Sequence, residues 1–145
     1  MNLAAILKFK GNSILSVTPA TRVSEVIKIL AEKRIGAVLV CEDDGKLTGI
    51  VSERDIVRTM ASQSGAIFDM TAAQLMTHSP KITAPETTVA QAMEIMTDGR
   101  FRHLPVVENG KLVGLVSIGD VVKARLSEQE HEVDSLRAYV TGAVA

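Results

Sequence analysis

The residues of this chain best suited to chemistry are two copies of one short phrase, Ser52-Glu53-Arg54-Asp55 and Ser117-Ile118-Gly119-Asp120. Each follows an aliphatic run ending in Gly-h-Val, where h is Ile50 or Leu115, and each precedes a helical pattern. A Ser at such a junction with a carboxylate three residues on is a helix start in its own right, hydroxyl and carboxylate closing first-turn amides reciprocally. The same geometry offers more. A helix N-terminus presents free N–H groups and a positive dipole end to an anion, the hydroxyl adds a donor, and a carboxylate accepts hydrogen bonds from a sugar diol. Phosphate beside ribose describes a nucleotide. Helix cap and nucleotide site are compatible readings, and the pattern by itself leaves both standing.

A phosphate needs fixed positive charge, and this chain must supply it locally. Its 145 residues hold 16 Lys and Arg against 17 Asp and Glu, for a formal net charge of −1. The candidates are Arg34 and Arg100, Arg102 and His103, and Arg54 inside the first phrase. For Arg34 and Arg100 the competing reading is a solvated charge favouring a helix C-terminus. The balanced charge argues against a nucleic-acid binder that relies on bulk attraction, and an aromatic content of 3% argues against one that relies on base stacking.

Other chemistries find no footing. Gly-rich phosphate loops of the Walker and Rossmann kinds are absent. His103 has no Ser or Cys nucleophile in a recognisable motif near it, and His78 and His131 lack partners at metal-ligand spacing. The single cysteine, Cys41, excludes an internal disulfide and a Cys-based zinc cluster; it reads as a small buried hydrophobe in a strand. The longest strictly apolar run, Ile35 to Cys41, falls far short of the ~20 residues that span a bilayer. Lys8 and Lys10 follow the apolar Leu3 to Leu7, the reverse of a secretory signal. The expectation is a soluble chain in the cytoplasm, with no membrane and no metal.

The elements that must position the two phrases emerge from self-comparison. Ser16 to Asp43 aligns with Ile82 to Asn109 at an offset of 66, and Gly45 to Arg58 with Gly110 to Lys123 at 65, leaving only Asp44 over. Identities run from Pro19/Pro85 and Val23/Val89 to the block Gly45-Lys46-Leu47 against Gly110-Lys111-Leu112, which marks an internal duplication. In each copy a Pro-containing turn leads into a helix with apolar positions at 3–4 spacing, Val23, Val26, Ile27 and Leu30 or Val89, Ala92, Met93 and Met96. Two β-branched runs follow, Ala37 to Cys41 and Leu47 to Val51, matched by Leu104 to Val107 and Leu112 to Val116, each pair joined by a hairpin turn. A second helix starts near Glu53 and Ile118. The reading is an α+β fold of two β-α-β-β-α repeats, each too small to stand alone, sealing a shared core with pseudo-two-fold symmetry.

The boundaries read from this pattern are an N-terminal segment 1–15, a first repeat 16–62, a linker 63–80, a second repeat 81–126 and a helical tail 127–145. The linker carries a capping-box match, Thr71-Ala72-Ala73-Gln74, that predicts a short helix through Met76 before Ser79-Pro80 stops it. The tail, with Val133, Leu136 and Val140 at helical spacing, extends the last helix and either covers the core or joins a partner subunit.

Over about residues 14 to 125 the chain resembles a tandem pair of CBS domains, the regulatory module named after cystathionine β-synthase. The likeness rests on the doubled element order, the phrase Leu75-Met76-Thr77-His78-Ser79-Pro80, the strand Arg102-His103-Leu104-Pro105-Val106-Val107 and both Gly-h-Val-Ser-x-x-Asp endings. It implies a disc-like dimer with clefts between the repeats that take adenosine compounds such as AMP, ADP, ATP, NAD or S-adenosylmethionine, with no metal required. By that resemblance Asp55 and Asp120 hold ribose hydroxyls, and Ser52 and Ser117 lie near phosphate or ribose, with Gly119 in the second phrase. Adenine lies against Gly36-Ala37-Val38 and His103-Leu104, with Thr18 and Thr83 close by. The copies differ where it matters: Arg102-His103 stands opposite Gly36-Ala37, and Glu53-Arg54 opposite Ile118-Gly119. Two non-equivalent sites are therefore expected.

Two functions follow as expectations. One is a non-catalytic regulatory sensor of adenine nucleotides, of the energy-sensing kind, that signals to an unknown protein partner. The other is a structural dimerisation module whose Ser-x-x-Asp phrases are helix caps alone. A homodimer is expected from the apolar helix faces each repeat leaves open.

Overall fold

A computed structural model describes residues 1–11 and 14–142. Among the described residues six helices alternate with two small sheets: α1 (Leu3–Lys10), β1 (Ser16–Val17), α2 (Val23–Lys33), β2 (Ala37–Cys41), β3 (Leu47–Ser52), α3 (Glu53–Gln63), a 3-10 turn (Ser64–Asp69), α4 (Ala72–Leu75), β4 (Thr77–His78), α5 (Val89–Gly99), β5 (His103–Glu108), β6 (Lys111–Ser117) and α6 (Ile118–Val140). The first sheet runs in the order β1-β2-β3-β4, with β1 parallel to β2 and the other pairs antiparallel; the second is the β5-β6 hairpin.

Local chemistry explains most boundaries. Ser52 and Ser117 each close a capping box with the aspartate three residues on, and Thr88 does so with Gln91 and Thr71 with Gln74. The expected short linker helix is α4, and it ends one residue before Met76. Asn109 and Gly110 both take positive φ, 52° and 76°, the two-residue turn whose twist matches a hairpin. Both α2 and α5 end on an arginine in the left-handed conformation, Arg34 and Arg100.

In the second repeat the first strand shrinks to a single parallel bridge, Thr83 to Val106. The cause lies one strand over. In the first repeat the Leu39 amide donates to the Leu15 carbonyl at 3.2 Å, but the residue aligned with Leu39 is Pro105, which has no N–H to give. The ladder therefore cannot lengthen past Thr83.

The core is built in three parts. Val38 and Val40 point to one side of β2, into a cluster with Val23, Val26, Val51 and Ile67. The alternate residues Ala37, Leu39 and Cys41 point to the other side, where with Ile50 they meet Leu112 and Leu115 of the second repeat. Every residue of β2 is buried, which is why that strand reads as an unbroken aliphatic run rather than an alternating one. Leu104, Val106, Val116 and Met96 form the third cluster. Each such side chain, fully buried, contributes about 1.5–3 kcal/mol.

The N-terminal segment, outside both aligned copies, completes the second repeat. Leu3, Ile6 and Leu7 are buried among Val89, Leu104 and Val121. Three backbone bonds fix α1 there: the amides of Leu3, Ala4 and Val89 donate to the carbonyls of Thr87, Pro85 and Met1 at 2.9, 3.0 and 3.0 Å. The linker repeats the arrangement on the first repeat, where Ala72, Ala73 and Val23 donate to Thr21, Pro19 and Met70 at 2.7, 3.0 and 2.8 Å. Residues 1–7 thus serve the second repeat as residues 70–76 serve the first.

Candidate functional site

The first Ser-x-x-Asp phrase sits where β3 hands over to α3. Asp55 Oδ2 accepts from the Ser52 amide at 2.8 Å and from the Ser52 hydroxyl at 2.9 Å, and the Asp55 amide donates back to Ser52 Oγ at 3.3 Å. Both bonds fall on Oδ2, so the other carboxylate oxygen has no partner among the described residues. The Glu53 amide donates to the Gly36 carbonyl at 2.9 Å. That leaves the Arg54 amide as the open donor of the first turn, so an anion here depends on side-chain cations more than on the helix end.

Those cations are present. A cavity of about 240 Å³ is lined by Ser52, Arg54, Asp55 and Arg58 from the α3 start, by Gly36 and Ile50, by Thr77, Pro80 and Lys81 from the linker, and by Arg100, Phe101, Arg102 and His103 from the second repeat. Five Lys or Arg side chains line it against two carboxylates, Glu53 and Asp55. In a chain of net charge −1 this is a local positive cleft with one carboxylate oxygen free to accept. It fits a ligand that carries both phosphate and a diol.

Gly36 and His103 meet across this cleft. A side chain on Gly36 would put its Cβ 3.2 Å from His103 Nε2 and 3.1 Å from Glu53 Oε1, so glycine leaves room for the imidazole. Burial pushes the His103 pKa below its ordinary value, and the Lys10 charge pushes the same way against the pull of Glu53 and Asp120. The imidazole is accordingly neutral near pH 7.

The second phrase closes on itself in the same way and then differs. The Ser117 amide donates to Asp120 Oδ2 at 2.8 Å and the Asp120 amide to Ser117 Oγ at 3.1 Å. Lys10, at the end of α1, donates its ammonium to the same Asp120 oxygen at 2.7 Å and to the Leu115 carbonyl at 3.0 Å. Partial burial alone raises the Asp120 pKa, but the hydrogen bonds from Lys10 and Ser117 outweigh it and hold the carboxyl below its usual range. The two junctions are non-equivalent: Asp55 faces an open basic cleft and Asp120 already holds a cation.

The structure thus brings Ser52, Arg54, Asp55, Gly36, Arg100, Arg102 and His103 together in one cavity. Ser117, Gly119 and Asp120 form the other junction. Arg34 is exposed at the end of α2, outside the cavity. Thr18 lies in a separate groove of about 1110 Å³ beside the two hairpin turns, its hydroxyl bonded to that of Thr21 at 3.0 Å; Thr83 is likewise paired with Thr87 at 2.6 Å. The side chains of Ala37, Val38 and Leu104 are buried in the core clusters, so any ligand contact there is through main chain. Sequence reasoning missed Arg58, Lys81, Thr77 and Lys10. The spacing of Arg54 and Arg58, one helical turn apart, was the available signal for the first; the others reach their places through β4 and α1. Among the described residues no His, Cys, Asp and Glu cluster could hold a metal, and no helix is long and apolar enough to cross a membrane.

Comparison with known proteins places these features. The sequence matches the CBS domain family over residues 11–62 and 72–127. It is 34% identical to the CBS domain-containing protein CBSX3, mitochondrial, of Arabidopsis thaliana, across 97% of this chain and 72% of that one. With longer relatives such as CBSCBSPB1 of the same plant, at 29% identity, it spans only 24% of their length. Among solved structures, the CBS-domain protein ATU1752 of Agrobacterium tumefaciens shares 42% identity and a TM-score of 0.84 over 86% of this chain and 99% of that one. The protein PAE2072 of Pyrobaculum aerophilum, complexed with AMP, shares 30% identity and a TM-score of 0.73 over 83% and 89%. CBSX2 in complex with AMP gives 31% and 0.70 over 80% and 90%.

Proposed function

The chain belongs to the CBS-domain family, and from that footing we propose that it is a non-catalytic regulatory module that binds an adenine nucleotide in the cleft at Asp55. The observation that carries this reading is the pairing of an open Asp55 carboxylate oxygen with five cationic side chains in one cavity. Asp55 would take the ribose hydroxyls, Arg54, Arg58, Lys81, Arg100 and Arg102 the phosphate, and the main chain at Gly36 the adenine edge. Two relatives solved with AMP make AMP the first ligand to try, with ADP, ATP and NAD as the alternatives. Binding acts on a partner by favouring one arrangement of the two repeats over another. A homodimer and a cytoplasmic address complete the reading.

The test is nucleotide-induced stabilisation. At a hundredfold excess over Kd a ligand adds about 2.7 kcal/mol, several degrees in melting temperature for a chain of this size. Asp55→Ala must abolish that shift. A wild-type protein that no adenosine compound stabilises would favour the structural module instead. That second reading has one observation of its own, the Asp120 carboxylate already paired with Lys10, and it applies to the second junction alone.

A further inference from the structure

The last helix carries a surface that neither junction uses. α6 runs 23 residues, about 34 Å, and only its first turns pack on the body, through Val121 and Ala124. Turned away from that contact is a second stripe, Val122, Leu126, Gln129, Val133, Leu136 and Val140, spaced 4, 3, 4, 3 and 4 residues apart. All five aliphatic members are exposed, and a shallow groove follows the stripe from Leu126 to Arg137. Alternation of 4 and 3 is the heptad seam of a coiled coil, with Leu126, Val133 and Val140 at a and Val122, Gln129 and Leu136 at d. Val at a with Leu at d, as in Val133 and Leu136, favours two strands.

The flanking charges choose the occupant. Arg125 and Glu132 fall at g, Glu130 and Arg137 at e. In a parallel pair each g faces the e position five residues on in the other helix. A second copy of this chain therefore sets Arg125 against the partner's Glu130 and Glu132 against the partner's Arg137, opposite charges in both pairs, while Lys123 at e and Tyr139 at g meet no like charge among the described residues. Within one chain Arg125 is held at 3.0 Å by the half-buried Glu128, which also takes the N-terminal ammonium at 3.0 Å, so Glu128 keeps a cation when Arg125 turns to the partner's Glu130. We infer that the outer half of α6 zips in parallel and in register with the same segment of a second copy, with Gln129 fixing the register. This interface is independent of nucleotide binding.

The experiment is same-residue cross-linking in the full chain. Leu126→Cys and Leu136→Cys, made separately, should each give a disulfide dimer on mild oxidation. His131→Cys, on the outer face, should not, nor should the wild type, whose one thiol is the buried Cys41. An antiparallel pair brings at most one of the two seam positions opposite itself, so cross-linking at only one overturns the parallel arrangement. A dimer by light scattering that cross-links at neither overturns the seam while leaving a dimer through other surfaces; a monomer overturns it outright. Glu132→Arg should weaken dimerisation by about tenfold, and Arg137→Glu added to it should restore the wild-type value. An unchanged single variant would overturn the facing of g and e.

Discussion

Lys10→Met should tighten nucleotide binding at the second junction. In the wild type the Lys10 ammonium lies 2.7 Å from Asp120 Oδ2, with the two side chains 43% and 26% exposed. A ribose diol seeking Asp120 must displace it. For a pair this wet the cost is that of a surface ion pair, up to about 1 kcal/mol, which is roughly fivefold in Kd. Calorimetric titration with AMP at 0.15 M salt, at a pH of about 8 where His103 is neutral with or without Lys10, should show a second equivalent bound about fivefold tighter in Lys10→Met. Raising the salt should narrow the difference, since screening weakens the wild-type pair. The variant also tests the acid side. A carboxyl whose pKa is lowered by folding contributes stability that is present above its unfolded value, near 3.9, and is lost as pH falls through the lower folded value. Without Lys10 the Asp120 pKa rises toward the ordinary range, so that contribution shrinks. If Lys10→Met instead weakens nucleotide binding, Lys10 is a phosphate ligand and the account of a plugged junction is wrong.

Three further outcomes are expected. The depressed His103 pKa makes the folded state less stable as pH falls below about 6.5, where the unfolded chain takes up the proton first; a bound phosphate reverses the preference, so AMP should bind with proton uptake and tighten toward pH 6, and His103→Gln should flatten that profile in calorimetry. Gly49→Ala would place a Cβ 2.8 Å from the Thr77 carbonyl and 2.5 Å from Met76 Sδ, pushing β4 off β3, and should cost about 1–3 kcal/mol in urea unfolding; a neutral result would show that the close approach is not structural. Pro105→Leu supplies the missing amide, and hydrogen exchange should find that new N–H protected to the same degree as the Leu39 amide, which donates to the Leu15 carbonyl; an unprotected amide would mean that something other than Pro105 shortens the first strand of the second repeat.

Much of the fold was legible because its signals are local. The duplicated Gly-h-Val-Ser-x-x-Asp endings, the Asn109-Gly110 turn and the Thr71 capping box are each set by neighbours within four residues, and each formed as read. The residues at the Asp55 cleft that lie within those signals, Ser52, Arg54 and Asp55, were legible for the same reason, whereas Gly36 came only from the family resemblance. Lys10 was not legible. Its partner is 110 residues away, and the relation between residues 1–10 and 70–79 retains only Met1/Met70 and Ala4/Ala73 as identities, too few to stand out. Lys81 and Thr77 reach the cleft because β4 pairs with β3, and a two-residue strand has no periodicity to read.

The crossing of the N-terminal helix onto the second repeat has a bearing on how the chain is made. Residues 16–80 contain the whole cluster built on Val38 and Val40, so that face of the first repeat can close as soon as the stretch has left the ribosome, while the opposite face of β2 waits for Leu112 and Leu115. Leu3, Ile6 and Leu7 are made ahead of both repeats, yet the surface they bury against is not finished until Val121 has been added. For most of synthesis, at ~5–20 residues per second, an apolar helix waits several seconds for its dock. Closing that long loop late raises the contact order and slows folding. A factor that shields nascent apolar segments should therefore engage the first ten residues of this chain, and a fast-folding domain fused ahead of Met1 should change the yield of folded protein more than one fused after the tail.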